Sequence, residues 1–81
     1  MKLLIVEDEP ILLNDLGEFV AREGFLYDLA QDYSTAVEKI MLYDYDCVIL
    51  DINLPDGSGF DILHKLQQYQ KLDGVLILYQ F

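Results

Sequence analysis

The feature that most constrains this chain is an alternation: short apolar runs that stop at charge or turn residues, each followed by apolar residues at helical spacing. Lys2–Val6 (KLLIV) is such a run, nearly continuous and ended by Glu7, as a strand buried on both faces requires. Pro10 follows, and proline suits the first turn of a helix because the N–H it lacks would have no helical partner there. Leu12, Leu13, Leu16, Phe19 and Val20 then recur at helical spacing, with Gly24 placed to end that helix. Residues 25–30 (FLYDLA) read as a second strand. Asp32, Ser34 and Thr35 each offer an N-cap oxygen for the next helix, Thr35 with Glu38 fits a capping box, and Ala36, Val37, Ile40 and Met41 form the apolar stripe. Residues 46–50 (DCVIL) are a third strand, and 53–59 (NLPDGSG) are so dense in turn formers that they read as a loop. Phe60, Leu63, Leu66 and Tyr69 mark a third helix, residues 71–74 a turn, and Val75–Leu78 (VLIL) a fourth strand.

Strands alternating with helices imply right-handed crossovers and a parallel sheet, so the expected fold is an α/β, doubly wound sheet in the order β-α-β-α-β-α-β. Residues 1–81 form one small domain without a linker or low-complexity tract. In open sheets of this type ligands bind beyond the carboxyl ends of the strands, where strand order reverses. The residues to inspect are therefore those just after each apolar run.

Composition excludes several classes of function. The chain carries 15 acidic and 5 basic residues, a net charge of −10, and such a surface is repelled by nucleic-acid phosphates. Nucleic-acid binding by this chain alone is not expected. No apolar run nears the roughly 18 residues of a membrane span, and the acidic turn after the first apolar stretch does not fit a signal peptide. A cytoplasmic protein is expected. The single cysteine, Cys47, cannot form an internal disulfide and reads as a small buried hydrophobe rather than a reactive thiol.

Glu7, Asp8 and Glu9 follow the first strand; Asp51, then Asn53, follow the third. If these strands are neighbours, several carboxylates share one crevice, and their repulsion raises at least one pKa. A divalent cation relieves it, and hard oxygen ligands suit Mg²⁺. A carboxylate beside Mg²⁺ is a competent nucleophile on phosphorus. On spacing alone the same residues also read as a solvated acidic edge.

The larger pattern decides between these readings. LLIVEDEP at 3–10 and DCVILDINLPDGSGFDIL at 46–63 closely resemble the receiver domain of two-component response regulators, over nearly the whole chain from Lys2 to Ile77. The resemblance implies a flavodoxin-like receiver fold. It also implies that Asp51 accepts a phosphoryl group from a phosphohistidine of a sensor histidine kinase. Asp8 and Asp51 would ligate Mg²⁺, Glu7 acting mainly through a water on the ion, and Asn53 would give its backbone carbonyl. Pro55 and Gly57 would shape the loop and Gly59 the tight approach to the third helix. Such a module receives its phosphoryl group and is not an enzyme in its own right. Blander readings hold elsewhere. Asp56 and Asp61 cap or solvate the third helix, and His64 is an ordinary surface or semi-buried histidine. Tyr27, Tyr33, Tyr43, Tyr45 and Tyr69 pack at strand and helix ends, and Glu9 faces solvent at the helix start.

The chain also departs from the family. A complete receiver is expected to have five strands and five helices in roughly 115–125 residues, so this one reads as C-terminally truncated, lacking the last helix-strand-helix. The family's Ser or Thr after the fourth strand is replaced by Tyr79, Gln80 and Phe81, and its Lys after the fifth strand has no counterpart. That ending is what a shifted or prematurely closed reading frame would leave. An open fourth strand and an uncovered apolar face favour a homodimer. Two other readings compete: a fragment that folds and dimerises but does not signal, and a Mg²⁺-dependent enzyme of another α/β family. The last would need a general acid or base at the strand ends, where neither Lys2 nor His64 is expected. In the family, DNA is contacted through a separate effector domain.

Overall fold

The structure is a computed structural model that describes residues 1–51, 53–71 and 75–78. The elements, in order, are β1 (Lys2–Val6), α1 (Pro10–Arg22), β2 (Leu26–Ala30), α2 (Tyr33–Leu42), β3 (Cys47–Asp51), β4 (Asn53–Leu54), β5 (Gly57–Ser58), α3 (Gly59–Gln68) and β6 (Val75–Leu78). The main sheet is parallel, in the order β2-β1-β3-β6. The first crossover steps one way along the sheet and the next two step the other way. A single hand of crossover therefore places α1 on one face and α2 and α3 on the opposite one.

The core shows that arrangement residue by residue. Leu4 and Val6 of β1, with Val48 and Leu50 of β3, pack with Ala30, with Ala36 and Ile40 of α2 and with Ile62 and Leu66 of α3. The alternate residues Leu3 and Ile5 turn to the other face, toward Leu13 and Val20 of α1, where Tyr27, Leu29, Cys47 and Ile49 are partly buried. Burial on both faces is what makes β1 read as an unbroken apolar run. Gly17 lets α1 lie close to the sheet, since a Cβ there would stand 2.9 Å from the Tyr27 ring.

Several boundaries and caps differ from the sequence reading. Phe25 lies outside β2 because its amide closes the end of α1 on the Val20 carbonyl at 3.1 Å. Asp46 precedes β3 and uses its carboxylate to accept the Lys2 amide at 2.7 Å. The expected loop at 53–59 contains a small antiparallel hairpin, β4 with β5, turning at Pro55 and Asp56. The N-cap of α2 is Asp32, which accepts the Thr35 amide at 2.8 Å, so Thr35 lies inside the helix rather than heading a box with Glu38. A capping box forms instead on α3, between Ser58 and Asp61. Phe19, Met41 and Phe60 are exposed, because a helix lying on a sheet buries only a narrow stripe. Those stripes are Leu13, Gly17 and Val20 in α1, Ala36 and Ile40 in α2, and Gly59, Ile62 and Leu66 in α3. The fourth predicted strand is β6; the turn expected at 71–74 falls largely outside the described residues, as do Tyr79, Gln80 and Phe81. Among the described residues no helix is long and apolar enough to cross a membrane.

Candidate metal and phosphoryl site

β1 and β3 run side by side with Val6 opposite Leu50, so Glu7 and Asp51 come next along both strands at their carboxyl ends. The chain passes from β1 outward to β2 and returns to β3 on the other side of β1, making this the point where strand order reverses. Glu7, Asp8 and Asp51 each bring a carboxylate oxygen to within 4.8 Å of the others. Glu7 and Asp51 are 0% and 1% exposed, and Asp8 is open to solvent. The site is thus two sunken carboxyl groups with a third at the rim.

Glu7 is sunk because its backbone continues the sheet, its amide donating to the Ala30 carbonyl at 3.0 Å. One side-chain oxygen, Oε1, accepts the Glu9 amide at 3.3 Å. The other, Oε2, is buried with no hydrogen-bond donor among the described residues. Burial is the main reason the Glu7 carboxyl is pushed up to about 7; the Asp51 and Asp8 carboxylates push the same way, while the Glu9 amide opposes. The sequence reading expected a raised carboxyl from repulsion, and the structure ranks burial ahead of it. Three carboxylates that bring hard oxygen donors together, one of them with a buried oxygen that accepts no hydrogen bond among the described residues, fit a small divalent cation such as Mg²⁺.

Asn53 is placed two residues beyond Asp51, as the first residue of β4. The hairpin it opens is tied down at its tip and at its far end. Ser58 and Asp61 close the start of α3 as a capping box. Asp56, expected to serve α3, instead reaches α2, accepting the Tyr33 amide at 2.6 Å, the Ser34 amide at 3.2 Å and the Ser34 hydroxyl at 2.7 Å. The Ser34 hydroxyl and then the Tyr33 amide hold the Asp56 carboxyl below its usual range. Sequence reasoning missed this because the partners lie 22 and 23 positions away, with no local signal to join them.

The remaining candidates fall where packing dictates. Glu9 is exposed yet is the N-cap of α1, accepting the Ile11 and Leu12 amides at 3.3 and 2.7 Å. His64 is exposed on α3, away from a packing role. Cys47 is half-buried against the α1 side of the sheet, and burial pushes its thiol up, as suits a packing residue. Tyr27, Tyr33 and Tyr45 pack on the two cores, and Tyr43 and Tyr69 stand at the ends of α2 and α3.

This geometry has close parallels among known proteins. Transcriptional regulatory protein CusR of Escherichia coli K12 is 42% identical over 78 residues, covering 96% of this chain and 34% of that protein. Two-component response regulator PhoP of Pseudomonas aeruginosa is 35% identical over 78 residues, covering 96% of this chain and 35% of that protein. The chain thus spans about a third of the length of these curated relatives. The crystal structure of response regulator protein TrrA from Thermotoga maritima, in complex with Mg²⁺-BeF, superposes with a TM-score of 0.91 at 31% identity. It covers 99% of this chain and 70% of that one. The response regulator receiver domain family matches residues 3–79. With the parallel sheet in this order and an acidic cluster at its switch point, the chain belongs to the response regulator receiver domain family.

Proposed function

We propose that this chain is the phosphoacceptor module of a two-component response regulator, taking a phosphoryl group on Asp51 from the phosphohistidine of a sensor histidine kinase. The observation that carries the reading is the convergence of Glu7, Asp8 and Asp51 at the switch point of the sheet. An Asp51 oxygen forms the new bond to phosphorus as the P–N bond breaks; the electron pair stays with the imidazole nitrogen. Asp8, Asp51 and the Asn53 backbone carbonyl would hold Mg²⁺, with Glu7 reaching it through water. When bound there, Mg²⁺ neutralises charge on the transferring group. The TrrA structure with Mg²⁺-BeF supports this assignment. The chain supplies the acceptor and its setting, while the kinase supplies the phosphoryl group, so it is not read as an enzyme.

By analogy with CusR, a transcriptional regulatory protein, the parent protein is read as a transcription regulator; a cytoplasmic location and DNA contact through an effector domain outside this chain are what the family resemblance implies. β6 stands at one margin of the described sheet, which supports a homodimer paired along it; pairing across an uncovered apolar face is the alternative that the sequence suggests. Light scattering at micromolar concentration checks this, a monodisperse monomer counting against it. The central reading is tested by incubating the protein with Mg²⁺ and a low-molecular-weight acyl phosphate, then measuring mass. One phosphoryl group is expected, absent without Mg²⁺ and absent in Asp51→Asn. Labelling that survives in Asp51→Asn, or none in the wild type, overturns it.

A further inference from the structure

Asp56, on the loop that follows Asp51 in the chain, does more than its exposed position suggests. A single residue separates Asp51 from the β4–β5 hairpin, and the hairpin carries Asn53, two positions beyond the acceptor. Two-residue strands do not hold themselves in place; an isolated hairpin is marginal even when longer. The anchor is Asp56 at the tip, whose carboxylate takes two amides and a hydroxyl from Tyr33 and Ser34 on α2. Those amides belong to the first turn of α2 and would otherwise lack a helical partner, and a negative charge is favoured at that end of a helix. The N-cap Asp32 already serves the Thr35 amide, so Asp56 adds bonds that the neighbouring chain does not make. Gly57 tightens the joint, since a Cβ there would stand 2.9 Å from Cγ of the Tyr33 ring. Ala36 and Ile40 root α2 in the core, so the loop is tied to a rigid element.

We infer that Asp56 is a positioning residue for the acidic site: by bonding to the start of α2, it holds the segment bearing Asn53 where that residue's backbone carbonyl serves the cation. This rests on the Mg²⁺ reading given above. Asp56 touches neither the ion nor the phosphoryl group. It acts on affinity by limiting where the loop can go, as groups that orient metal ligands do.

The test measures Mg²⁺ affinity by calorimetry alongside thermal stability in four proteins. Asp56→Ala is expected to weaken Mg²⁺ binding about tenfold, the lower range for groups that orient ligands. Ser34→Ala removes one of the three bonds without changing charge, and is expected to weaken binding about threefold. Because Ser34 is exposed and the change is small, this variant keeps the test open should Asp56→Ala fail to fold. Asp32→Ala also removes a carboxylate cap from the start of α2 but leaves the loop's own bonds in place. It should lose stability with Mg²⁺ affinity unchanged. If Asp56→Ala binds Mg²⁺ as the wild type does, or if Asp32→Ala weakens binding equally, the positioning role is overturned while the metal reading stands. If the wild type takes up no Mg²⁺, the metal reading falls and the positioning role falls with it.

Discussion

The two ends of the sheet handle charge in opposite ways. At the amino end, Lys2 Nζ lies 3.5 Å from Asp28 Oδ2 and over the rings of Tyr43 and Tyr45, at 4.9 and 5.3 Å from their centroids. The Tyr45 hydroxyl donates to the same Asp28 oxygen at 2.6 Å, which, with Lys2, keeps that carboxyl below its usual range. Lys71 bonds the Ile40 and Tyr43 carbonyls at 2.8 and 3.1 Å and pairs with Asp44 at 3.0 Å. At the carboxyl end, Glu7, Asp8 and Asp51 crowd together, and the buried Glu7 carboxyl is pushed up to about 7. One end spends its charges on holding the chain together; the other keeps like charges close, which is costly without a cation and useful with one. Stability and ligand binding should therefore respond to different substitutions.

The largest effect expected of a single substitution comes from breaking the amino end at Lys71. Its ammonium serves the last carbonyls of α2, where a cation also meets the favourable end of the helix dipole. Lys71→Met is expected to cost about 1.5–3 kcal/mol, the range for hydrogen bonds to charged groups. Mg²⁺ affinity should not change. Denaturant melts and calorimetry on the same variant check both halves. A parallel fall in Mg²⁺ affinity would show that the two ends are coupled and would end the comparison.

pH separates the ends without any substitution. Unfolded Glu7 releases its proton near 4.5 and folded Glu7 near 7, so between these values the folded chain holds the extra proton. Without divalent cation, stability then falls as pH rises through that window, by about 3 kcal/mol at roughly 1.4 kcal/mol per pH unit. Asp28 runs the other way: its lowered folded pKa gives stabilisation that is complete above 3.8 and lost as pH falls through the folded value. Thermal melts from about pH 5 to about pH 8 therefore report the carboxyl end, which dominates this range. Glu7→Gln should flatten the slope, and so should saturating Mg²⁺. A slope that persists in Glu7→Gln would place its source elsewhere.

The same division explains what the sequence made legible. β1 and β3 were readable because strands buried on both faces leave continuous apolar runs, and those runs place Glu7, Asp8 and Asp51 together once their ends are parallel. The contacts that fasten the site were not readable. Asp56 meets Tyr33 and Ser34 only because the hairpin folds over the start of α2, and no periodicity links residues so far apart. Three oxygens competed to cap α2, and tertiary placement chose Asp32. Ser58 and Asp61 carried a local signal, a serine with an acid three positions on, obscured by a stretch otherwise full of turn formers. Which member of an apolar stripe is buried also depends on what lies opposite: Ile62 is sealed and Phe60 is not.

The smallest expected effect sharpens the comparison, because it improves the amino end and should leave the other end untouched. α1 and α3 finish there by the same device. Gly24 and Phe25 donate to the Ala21 and Val20 carbonyls at 3.0 and 3.1 Å, and Gln70 and Lys71 to those of Gln67 and Leu66 at 3.1 and 2.7 Å. Gly24 adopts φ +85° and Gln70 φ 58°, a left-handed conformation that is free for glycine and costs a side-chain-bearing residue about 1–2 kcal/mol. Gln70→Gly removes that strain but adds freedom to the unfolded chain, leaving a net gain of about 0.5–1 kcal/mol. Gly24→Gln should lose a comparable amount. Mg²⁺ affinity should match the wild type in both variants, because neither helix end touches the acidic pocket. A loss of stability in Gln70→Gly would mean that its side chain contributes more than its backbone costs, and a change in Mg²⁺ affinity would mean that strain at one end of the sheet is felt at the other.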